Sequence, residues 1–355
     1  MSAFRKMMSV MLGACLTLLC ILTGYTAGAE TQNETEKEIV LYVEQYAEKA
    51  DPEHREYAVA DRTAVGSLTG EKAYVVYSFL PEGYIIYDKT SGTVEELMIH
   101  RESPYADYPE NDLYYAGPMN YLVRSEDGHW ISLLDGKAMT EDEIKKLEYL
   151  EQGTIENRKD NPKGIPTSTE EYYISSNSYF RTSLGDSFGY NVNGTCTQLA
   201  CAILLGYYRY CVNIQFVPAV YVCGVGTTDA FHQYLQTFMG TGPSGLLNAA
   251  AGMNSYFSDI YFTIPVAGTD IGNYHTVFTR VSNNVSSNRP TVIAMFSSET
   301  NDCPYNHSVV AYGYIEELKG IRMTSAAYYV HTGWHGTDSL GVFAWDWFAD
   351  DLYIS

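Results

Sequence analysis

Apolar and polar residues follow two different periods along the first half of the chain. Apolar residues recur at helical spacing from about 34 to 49, and Asp51-Pro52 follows, so this segment is predicted to be one amphipathic helix. Short apolar runs bounded by turn residues then predict antiparallel strands at 73–79, 83–87 and 94–99, and a hairpin at 121–133. Thr140 and Glu143 form a capping-box pattern for a helix that runs to about Gln152.

The second half of the chain shows helical patterns first and strand patterns afterwards. A nearly continuous apolar segment from Thr197 to about Tyr210 predicts a helix that is buried on most sides. Further helices are predicted at 229–239 and 244–257, and strands at 291–296, 308–314, 326–330 and 341–344. Helices that precede an antiparallel sheet are typical of an α+β domain.

A change in amino-acid composition separates the two halves of the chain. Residues 153–169 are polar, basic and proline-bearing, with little apolar content. We predict that they link a small α+β region, 30–152, to a larger α+β domain, 170–355. Proteolytic maturation would be easiest in such a linker, and the alternative is a solvated loop that is never cut.

The first 29 residues have the pattern of a secretory signal peptide. Arg5 and Lys6 precede an apolar run from about Met7 to Leu22, and Ala27-Gly28-Ala29 is a small-residue cleavage site. The apolar run is interrupted by small and polar residues, and no stop-transfer pattern follows, so we expect no membrane span. The mature chain is predicted to begin at Glu30 and to be secreted or associated with the cell surface.

Acidic residues dominate the charge balance of the chain. The sequence contains 43 Asp and Glu against 22 Lys and Arg, a net charge of −21. The predicted leader carries two basic residues and no acidic one, so its removal would lower the net charge to −23. A surface of this sign repels nucleic acid and anionic membranes, and we expect neither as a partner.

The cysteines that follow the leader are too few for a disulfide scaffold. Their number is odd, which in an exported protein leaves at least one thiol unpaired. They are Cys196, Cys201, Cys211, Cys223 and Cys303. Cys196 differs from the others because it opens the long apolar helix, where free backbone N–H groups and the helix dipole stabilise a thiolate.

His307, at the start of a predicted strand, is the candidate base for Cys196. It would meet the thiol across the interface between helix and sheet, and as an imidazolium it would lower the thiol pKa. The backbone N–H of Cys196, with a side-chain amide of Asn191 or Asn193, could form an oxyanion hole. The remaining candidates have no partner motif and are interpreted as structural: Cys201, Cys211, His232 and His275.

Three segments of the second half, at 194–208, 306–314 and 329–343, together resemble streptopain-like cysteine peptidases of the papain-like clan. Residues 194–208, Gly-Thr-Cys-Thr-Gln-Leu-Ala-Cys-Ala-Ile-Leu-Leu-Gly-Tyr-Tyr, are similar to the family's nucleophile helix, and 306–314, Asn-His-Ser-Val-Val-Ala-Tyr-Gly-Tyr, to its histidine strand. Residues 329–343 are similar to the segment that carries the orienting residue and a Gly-Trp-Gly turn, here around Trp334. The resemblance implies a papain-like domain, in which a central nucleophile helix packs on an antiparallel sheet.

The resemblance also implies an activity and its control. Cys196 would attack a peptide bond of a protein or peptide substrate, and His307 would act as general base and acid, with no cofactor. Two stretches of the first half, 83–86 and 105–118, look like the inhibitory pro-domain of this family. The implied protein is a secreted zymogen whose own pro-domain covers the cleft until it is removed.

His331 departs from the family pattern, because it stands where the family has Asn. A neutral His331 could accept the N–H of His307 and orient its ring, whereas a protonated one could not. We therefore expect activity to fall more steeply in acid than in an Asn-containing enzyme. Asp338 is the alternative orienting residue.

Two other classes of function remain open. Cys303 with His307, and His331 with His335, have spacings that a zinc site could use. Residues four apart on a strand lie too far apart for this unless a turn intervenes. The other alternative is a secreted binding protein that keeps the papain-like fold and has lost turnover.

Overall fold

The computed structural model describes most of the chain outside its N-terminal segment. The described residues are 35–47, 56–70, 73–108, 112–158, 168–181, 194–242, 244–261, 263–269, 273–295, 307–319, 322–333 and 340–355. They fall in two compact units, Met1–Val59 and Ala60–Ser355. In the first unit, helix α1 spans 35–47 and confirms the helix predicted there. The predicted signal peptide and residues 159–167 of the predicted linker lie outside the described residues.

The front part of the second unit, which ends at Arg158, contains a meander of short strands followed by one helix. The strands are β1 Ala58–Gly66, whose first two residues belong to the first unit, β2 Ala73–Leu80, β3 Tyr84–Asp88, β4 Thr93–Met98, β5 Asp112–Tyr115, β6 Tyr121–Arg124, β7 Trp130–Ser132 and β8 Ala138–Met139. The helix is α2, Glu141–Arg158. It begins with the predicted capping box, since the Thr140 N–H donates to the Glu143 carboxylate at 2.7 Å and the Thr140 Oγ1 accepts the Glu143 N–H at 3.3 Å. The helix runs past the predicted end at Gln152, and the domain boundary stays a prediction.

The back part of the second unit holds the remaining helices and the long strands. Its helices are α3 Ser178–Arg181, α4 Cys196–Cys211, α5 Asp229–Met239, α6 Leu246–Asp259 and α7 Tyr274–Ser286. Its strands are β9 Ser168–Tyr173, β10 Val222–Cys223, β11 Gly226–Thr227, β12 Val266–Thr269, β13 Thr291–Met295, β14 Ser308–Lys319, β15 Arg322–His331, β16 Leu340–Ala344 and β17 Phe348–Ile354. Short 3₁₀ turns lie at Ile214–Phe216, Ala219–Tyr221 and Trp345–Trp347.

One sheet runs through the front and back parts of the second unit. Among the described residues it has 15 strands, in the order β12-β17-β13-β14-β15-β16-β4-β3-β2-β1-β5-β6-β7-β8, with β9 also paired to β14. The front and back parts join where β4 pairs antiparallel with β16, at Leu97 with Val342 and Glu96 with Phe343. The sheet is mostly antiparallel, with a parallel pair at β1 and β5. The coarse prediction of a mixed α+β fold is confirmed.

Helix α4 is the centre of the back core. Every residue from Cys196 to Tyr208 is buried, which confirms the predicted burial on most sides. Phe180 stacks on Tyr207 and on Tyr312 of β14, with ring centroids 5.3 and 5.0 Å apart. Each fully buried Leu or Ile of such a helix contributes about 1.5–3 kcal/mol of hydrophobic free energy, so the first turn of α4 is held in a fixed position.

Helix α7 was not predicted from the sequence. Its residues are rich in Thr, Ser, Asn and Val, which are weak helix formers. The helix nevertheless buries Val277, Phe278, Val281 and Val285 along one face, at helical spacing. The Asn273 side chain caps it by accepting the Thr276 N–H at 2.9 Å. The free energy gained by burying this face outweighs the weak helix propensity of these residues.

Candidate active site

Cys196 is the first residue of α4. Gly194 precedes it with a φ of +74°, a left-handed conformation that suits glycine and turns the chain into the helix. Thr195 follows with φ −88° and ψ 27° and makes no side-chain cap, so no side chain of the N-cap covers the first N–H groups of the helix. Those groups lie beside the thiol, as the sequence predicted. The Cys196 side chain is itself buried.

His307 lies immediately before β14. Its carbonyl oxygen accepts the Met295 N–H at 3.1 Å, and the next residue, Ser308, is paired with Ala294 of β13. These ladder contacts fix the backbone from which the imidazole extends. The ring is buried, with 7% of the residue exposed.

The first turn of α4 packs against the first residue of β14. The Thr197 Oγ1 lies 2.8 Å from the Ser308 Oγ, and both side chains are buried. The Cys196 thiol also lies within hydrogen-bond reach of the backbone and side-chain groups of Ser308 and Thr197. The fold therefore brings Cys196 against the direct neighbour of His307, from positions more than a hundred residues apart in sequence.

The contact of the His307 ring fixes which nitrogen carries the proton. Its Nε2 lies 3.2 Å from the carbonyl oxygen of Thr332. A carbonyl oxygen can only accept a hydrogen bond, so Nε2 is the protonated nitrogen of the neutral ring. The lone pair of the neutral ring then lies on Nδ1. The sequence offered His331 and Asp338 for orienting this ring, but the backbone acceptor was not foreseen.

Burial decides the charge state of both groups. Burial raises the pKa of the Cys196 thiol, although hydrogen bonds from Ser308 and Thr197 oppose the rise. Burial lowers the pKa of His307 to about 4, although the hydrogen bond to Thr332 opposes the fall. At neutral pH the pair is therefore a thiol and a neutral imidazole. The predicted effect of an imidazolium on the thiol pKa stays a prediction, and burial acts against it in both groups.

His331 lies at the end of β15, and its backbone is paired with Val310. Its Nδ1 accepts the Gly333 N–H at 3.2 Å, and burial lowers its pKa to about 3. The imidazole therefore stays neutral in mild acid. The steeper loss of activity in acid, which we expect when His331 is protonated, is therefore expected only below pH 4. An orienting role of His331 towards His307 stays a prediction.

Gly333 holds the end of this segment on α4. Its φ is +81°, and a Cβ at this position would lie 3.2 Å from the Leu199 Cδ2. Thr332, whose carbonyl contacts His307, immediately precedes it. The acceptor for the His307 ring is therefore positioned by close packing on the helix that carries Cys196.

The first turn of α4 also anchors the loop between α5 and α6. Gln198 donates from Nε2 to the carbonyl oxygens of Gly240 and Gly242, at 2.9 and 2.8 Å. The Thr197 hydroxyl donates to the Ser244 carbonyl oxygen at 2.8 Å. These contacts were missed from the sequence, although Thr197 and Gln198 are polar residues in an otherwise apolar helix. That break in the apolar run is the signal that could have identified them.

His232 of α5 contacts the residue that precedes Cys196. Burial lowers the pKa of His232, and a hydrogen bond with the Thr195 backbone opposes this. Its Nε2 also lies 3.3 Å from the Gln236 Nε2. A structural role for His232 agrees with the interpretation from the sequence, but its position next to Cys196 followed only from the fold.

Several predicted site residues lie outside the described residues: Asn191, Asn193, Cys303, Trp334, His335 and Asp338. Two of the four ligands of the zinc alternative are among them. In the ranges that the structure describes, no three His, Cys, Asp or Glu side chains are grouped so that they could hold a metal ion. Within the same ranges, no helix is both long and apolar enough to cross a membrane.

No protein-family model matches the chain, and no curated protein matches it. Among solved structures, a fragment of prointerpain A from Prevotella intermedia is similar to the chain. The two sequences are 11% identical, the TM-score is 0.41, and the alignment covers 84% of this chain and 97% of that chain. The similarity is to a cysteine peptidase zymogen and is distant, so the functional proposal rests on the side chains of this chain.

Proposed function

We propose that the chain is a secreted papain-like cysteine peptidase, made as a zymogen, that cleaves protein or peptide substrates through an acyl-enzyme at Cys196. The observation that carries this proposal is the contact between α4 and β14. There a buried cysteine in the first turn of a helix meets Ser308, the neighbour of His307. The His307 ring contacts the Thr332 carbonyl oxygen through Nε2, and in the proposal its Nδ1 accepts the thiol proton.

The proposed reaction begins from an uncharged pair. The Cys196 Sγ attacks the carbonyl carbon of the peptide bond while its proton moves to the His307 Nδ1. The developing oxyanion is stabilised by the backbone N–H of Cys196 at the start of the helix. The Nδ1–H then protonates the leaving amine, and a thioester forms. Water hydrolyses the thioester with Nδ1 again acting as base, which restores the thiol and the neutral imidazole.

The zymogen and the secretion are parts of the same proposal. Their support is the leader pattern in 1–29 and the polar, proline-bearing sequence between α2 and β9, which lies within the predicted linker 153–169. In the proposal the front region acts as the intramolecular inhibitor until the linker is cut. Its release has to break the pairing of β4 with β16, so cleavage alone does not remove it.

The test is covalent labelling of the secreted full chain with an epoxide inhibitor of papain-like enzymes, followed by intact-mass measurement. Labelling is measured before and after limited proteolysis near Lys159. We expect one label per chain, only after cleavage, and none in Cys196→Ala. Cys201→Ala is the matched control, because Cys201 is a fully buried thiol of the same helix and should leave the labelling unchanged.

Two other outcomes would contradict the proposal. Labelling of Cys196 before cleavage would contradict the inhibitory role of the front region. No labelling of either form would favour the second candidate, a non-catalytic secreted binding protein that keeps the papain-like fold. That candidate is favoured by the burial that raises the pKa of Cys196 and lowers that of His307.

A further inference from the structure

Two hydroxyl groups lie beside the candidate nucleophile and have no place in the proposed reaction so far. They belong to Thr197 of α4 and Ser308 of β14, whose oxygens are 2.8 Å apart. Both residues are buried, with 2% and 4% of their surface exposed. A buried pair of hydroxyls next to a group that changes its charge is a candidate for a role in that change.

The hydrogen bonds of this pair have a defined direction in the resting site. The Ser244 carbonyl oxygen, 2.8 Å from the Thr197 Oγ1, can only accept. The Thr197 hydrogen is therefore used on Ser244, and Thr197 offers its oxygen as an acceptor to the Ser308 hydroxyl. Ser308 thus has two acceptors within reach, the Thr197 Oγ1 and the Cys196 sulfur.

The charge of the sulfur decides between these two acceptors. A neutral thiol is a weak acceptor, whereas a thiolate forms charge-assisted hydrogen bonds about twice as strong as those between neutral groups. The Ser308 backbone already contacts the thiol, so the residue is held against it by the β13–β14 ladder as well as by its side chain. Rotation of a single hydroxyl bond is enough to redirect its hydrogen.

We propose that Ser308 is a further catalytic residue of this site, whose hydroxyl turns from Thr197 to the Cys196 sulfur as the thiol loses its proton. The inference rests on the proposed function for its catalytic meaning. No covalent bond of Ser308 changes. The proton of the thiol goes to the His307 Nδ1, and the Ser308 hydroxyl only exchanges one acceptor for another.

The test is the pH dependence of alkylation of Cys196 by iodoacetamide in the full chain, cut near Lys159, with the modified site read by peptide mass. Only the thiolate is alkylated, so the midpoint of the profile reports the thiol pKa. The titratable groups on the elements packed here are unchanged in these variants: Cys201 of the same helix, His232 against Thr195, and His307 next to Ser308. We expect Ser308→Ala to raise the midpoint by about one unit, which lowers the rate about tenfold at a fixed pH below it.

A pair of equally shaped variants makes the test independent of any loss of packing. Ser308→Thr keeps the hydroxyl and should give a pH profile close to that of the parent. Valine has the shape of threonine without the hydroxyl, so Ser308→Val should shift the midpoint to higher pH. Ser325→Ala is the control, because Ser325 is a buried serine of the neighbouring strand β15. It should leave the profile unchanged.

Alkylation separates failure of this inference from failure of the proposed function, because it needs no peptide hydrolysis. Profiles of Ser308→Ala and Ser308→Val that superimpose on that of the parent would overturn the role of Ser308, even in an active peptidase. A thiol that is not alkylated in the folded chain at any pH would also overturn it. A shifted profile in a chain that hydrolyses no peptide would support Ser308 and count against the peptidase.

Discussion

The front and back parts of the sheet both bury ionisable side chains, but they surround them differently. In the front part, Glu96 of β4 accepts hydrogen bonds from the hydroxyls of Tyr84, Tyr121 and Tyr115 and from the Met119 N–H. In the back part, the His307 ring contacts the carbonyl oxygen of Thr332 at 3.2 Å. The carboxylate faces hydrogen-bond donors, whereas the imidazole faces a hydrogen-bond acceptor.

The difference shows how the surroundings of a buried group relate to its use. Burial raises the pKa of Glu96, and hydrogen bonds from Tyr121, Tyr84 and Met119 oppose the rise. These donors can satisfy a carboxylate on both oxygens, so Glu96 can serve as a structural centre for the tyrosines. Burial also favours the neutral forms of Cys196 and His307, because it raises the pKa of the thiol and lowers the pKa of the imidazole.

The largest expected effect is the loss of stability in acid that comes from the back part. The folded pKa values of His307 and His331, about 4 and about 3, lie below the ordinary value of 6.5. The contribution of these two histidines to the free energy of unfolding is fully present above pH 6.5. It is lost as the pH falls, because the unfolded chain then binds protons that the folded chain does not. By pH 4 the loss is roughly 3 kcal/mol for each histidine.

Urea unfolding of the parent and of His331→Asn at pH 7 and pH 4 checks this. The variant should lose roughly 3 kcal/mol less between the two pH values than the parent. His129→Asn is the control, because the His129 side chain is 75% exposed and should not change the difference. Equal losses in the parent and in His331→Asn would mean that His331 is not a buried neutral group.

The next effect concerns the front part. Glu96→Ala removes the acceptor from buried tyrosine hydroxyls and from the Met119 N–H, and it should lower the free energy of unfolding by roughly 4 kcal/mol. Glu96→Gln keeps the shape and one carbonyl acceptor and should lose less. Urea unfolding at pH 7 measures both. Equal stability of Glu96→Ala and the parent would remove the contrast between the two parts.

The sign of the pH dependence of Glu96 sharpens the same comparison. The pKa of Glu96 is raised in the folded chain. Its contribution to stability is therefore present below the ordinary pKa near 4.5 and is lost as the pH rises through the folded pKa. The histidines of the back part act in the opposite direction. Glu96→Gln should therefore make the acid loss of stability steeper than in the parent.

The smallest of these effects concerns the contact between the two parts. Gly117 has a φ of +104°, and a Cβ there would lie 2.7 Å from the Trp347 ring and 3.0 Å from the Met295 Cε. Gly117→Ala should lower the free energy of unfolding by about 2 kcal/mol, through backbone strain and overpacking. Trp347 also donates from Nε1 to Glu95 at 2.7 Å, so the indole has little room to move.

A matched variant separates the strain from the overpacking in Gly117→Ala. Gly136 also has a positive φ, +71°, but a Cβ there would have no neighbour within 4 Å. Gly136→Ala should therefore show the backbone cost alone, of about 1 kcal/mol. Urea unfolding of the two variants side by side is the measurement. If they lost the same stability, close packing between the front and back parts would not be the cause.

Local patterns in the sequence predicted the elements whose cause is itself local. The apolar run after Cys196 predicted α4 and its burial, and the Thr140 and Glu143 spacing predicted the start of α2. Helix α7 was missed because its residues have weak helix propensity and its burial comes from distant partners. Strand β17 was missed because it carries Asp350 and Asp351, and Asp351 is accommodated by an ion pair with Arg280 at 2.9 Å.

The sequence by itself determined the chemistry available to this protein: a cysteine that opens a buried helix, a histidine before a strand, and one mixed α+β chain to carry them. Only the tertiary structure decided what surrounds these groups. Every residue has a backbone carbonyl, so nothing in the residue types marked Thr332 as the acceptor for His307. The Ser308 contact and the neutral state of the pair likewise depend on burial between elements far apart in the chain, which a local pattern does not encode.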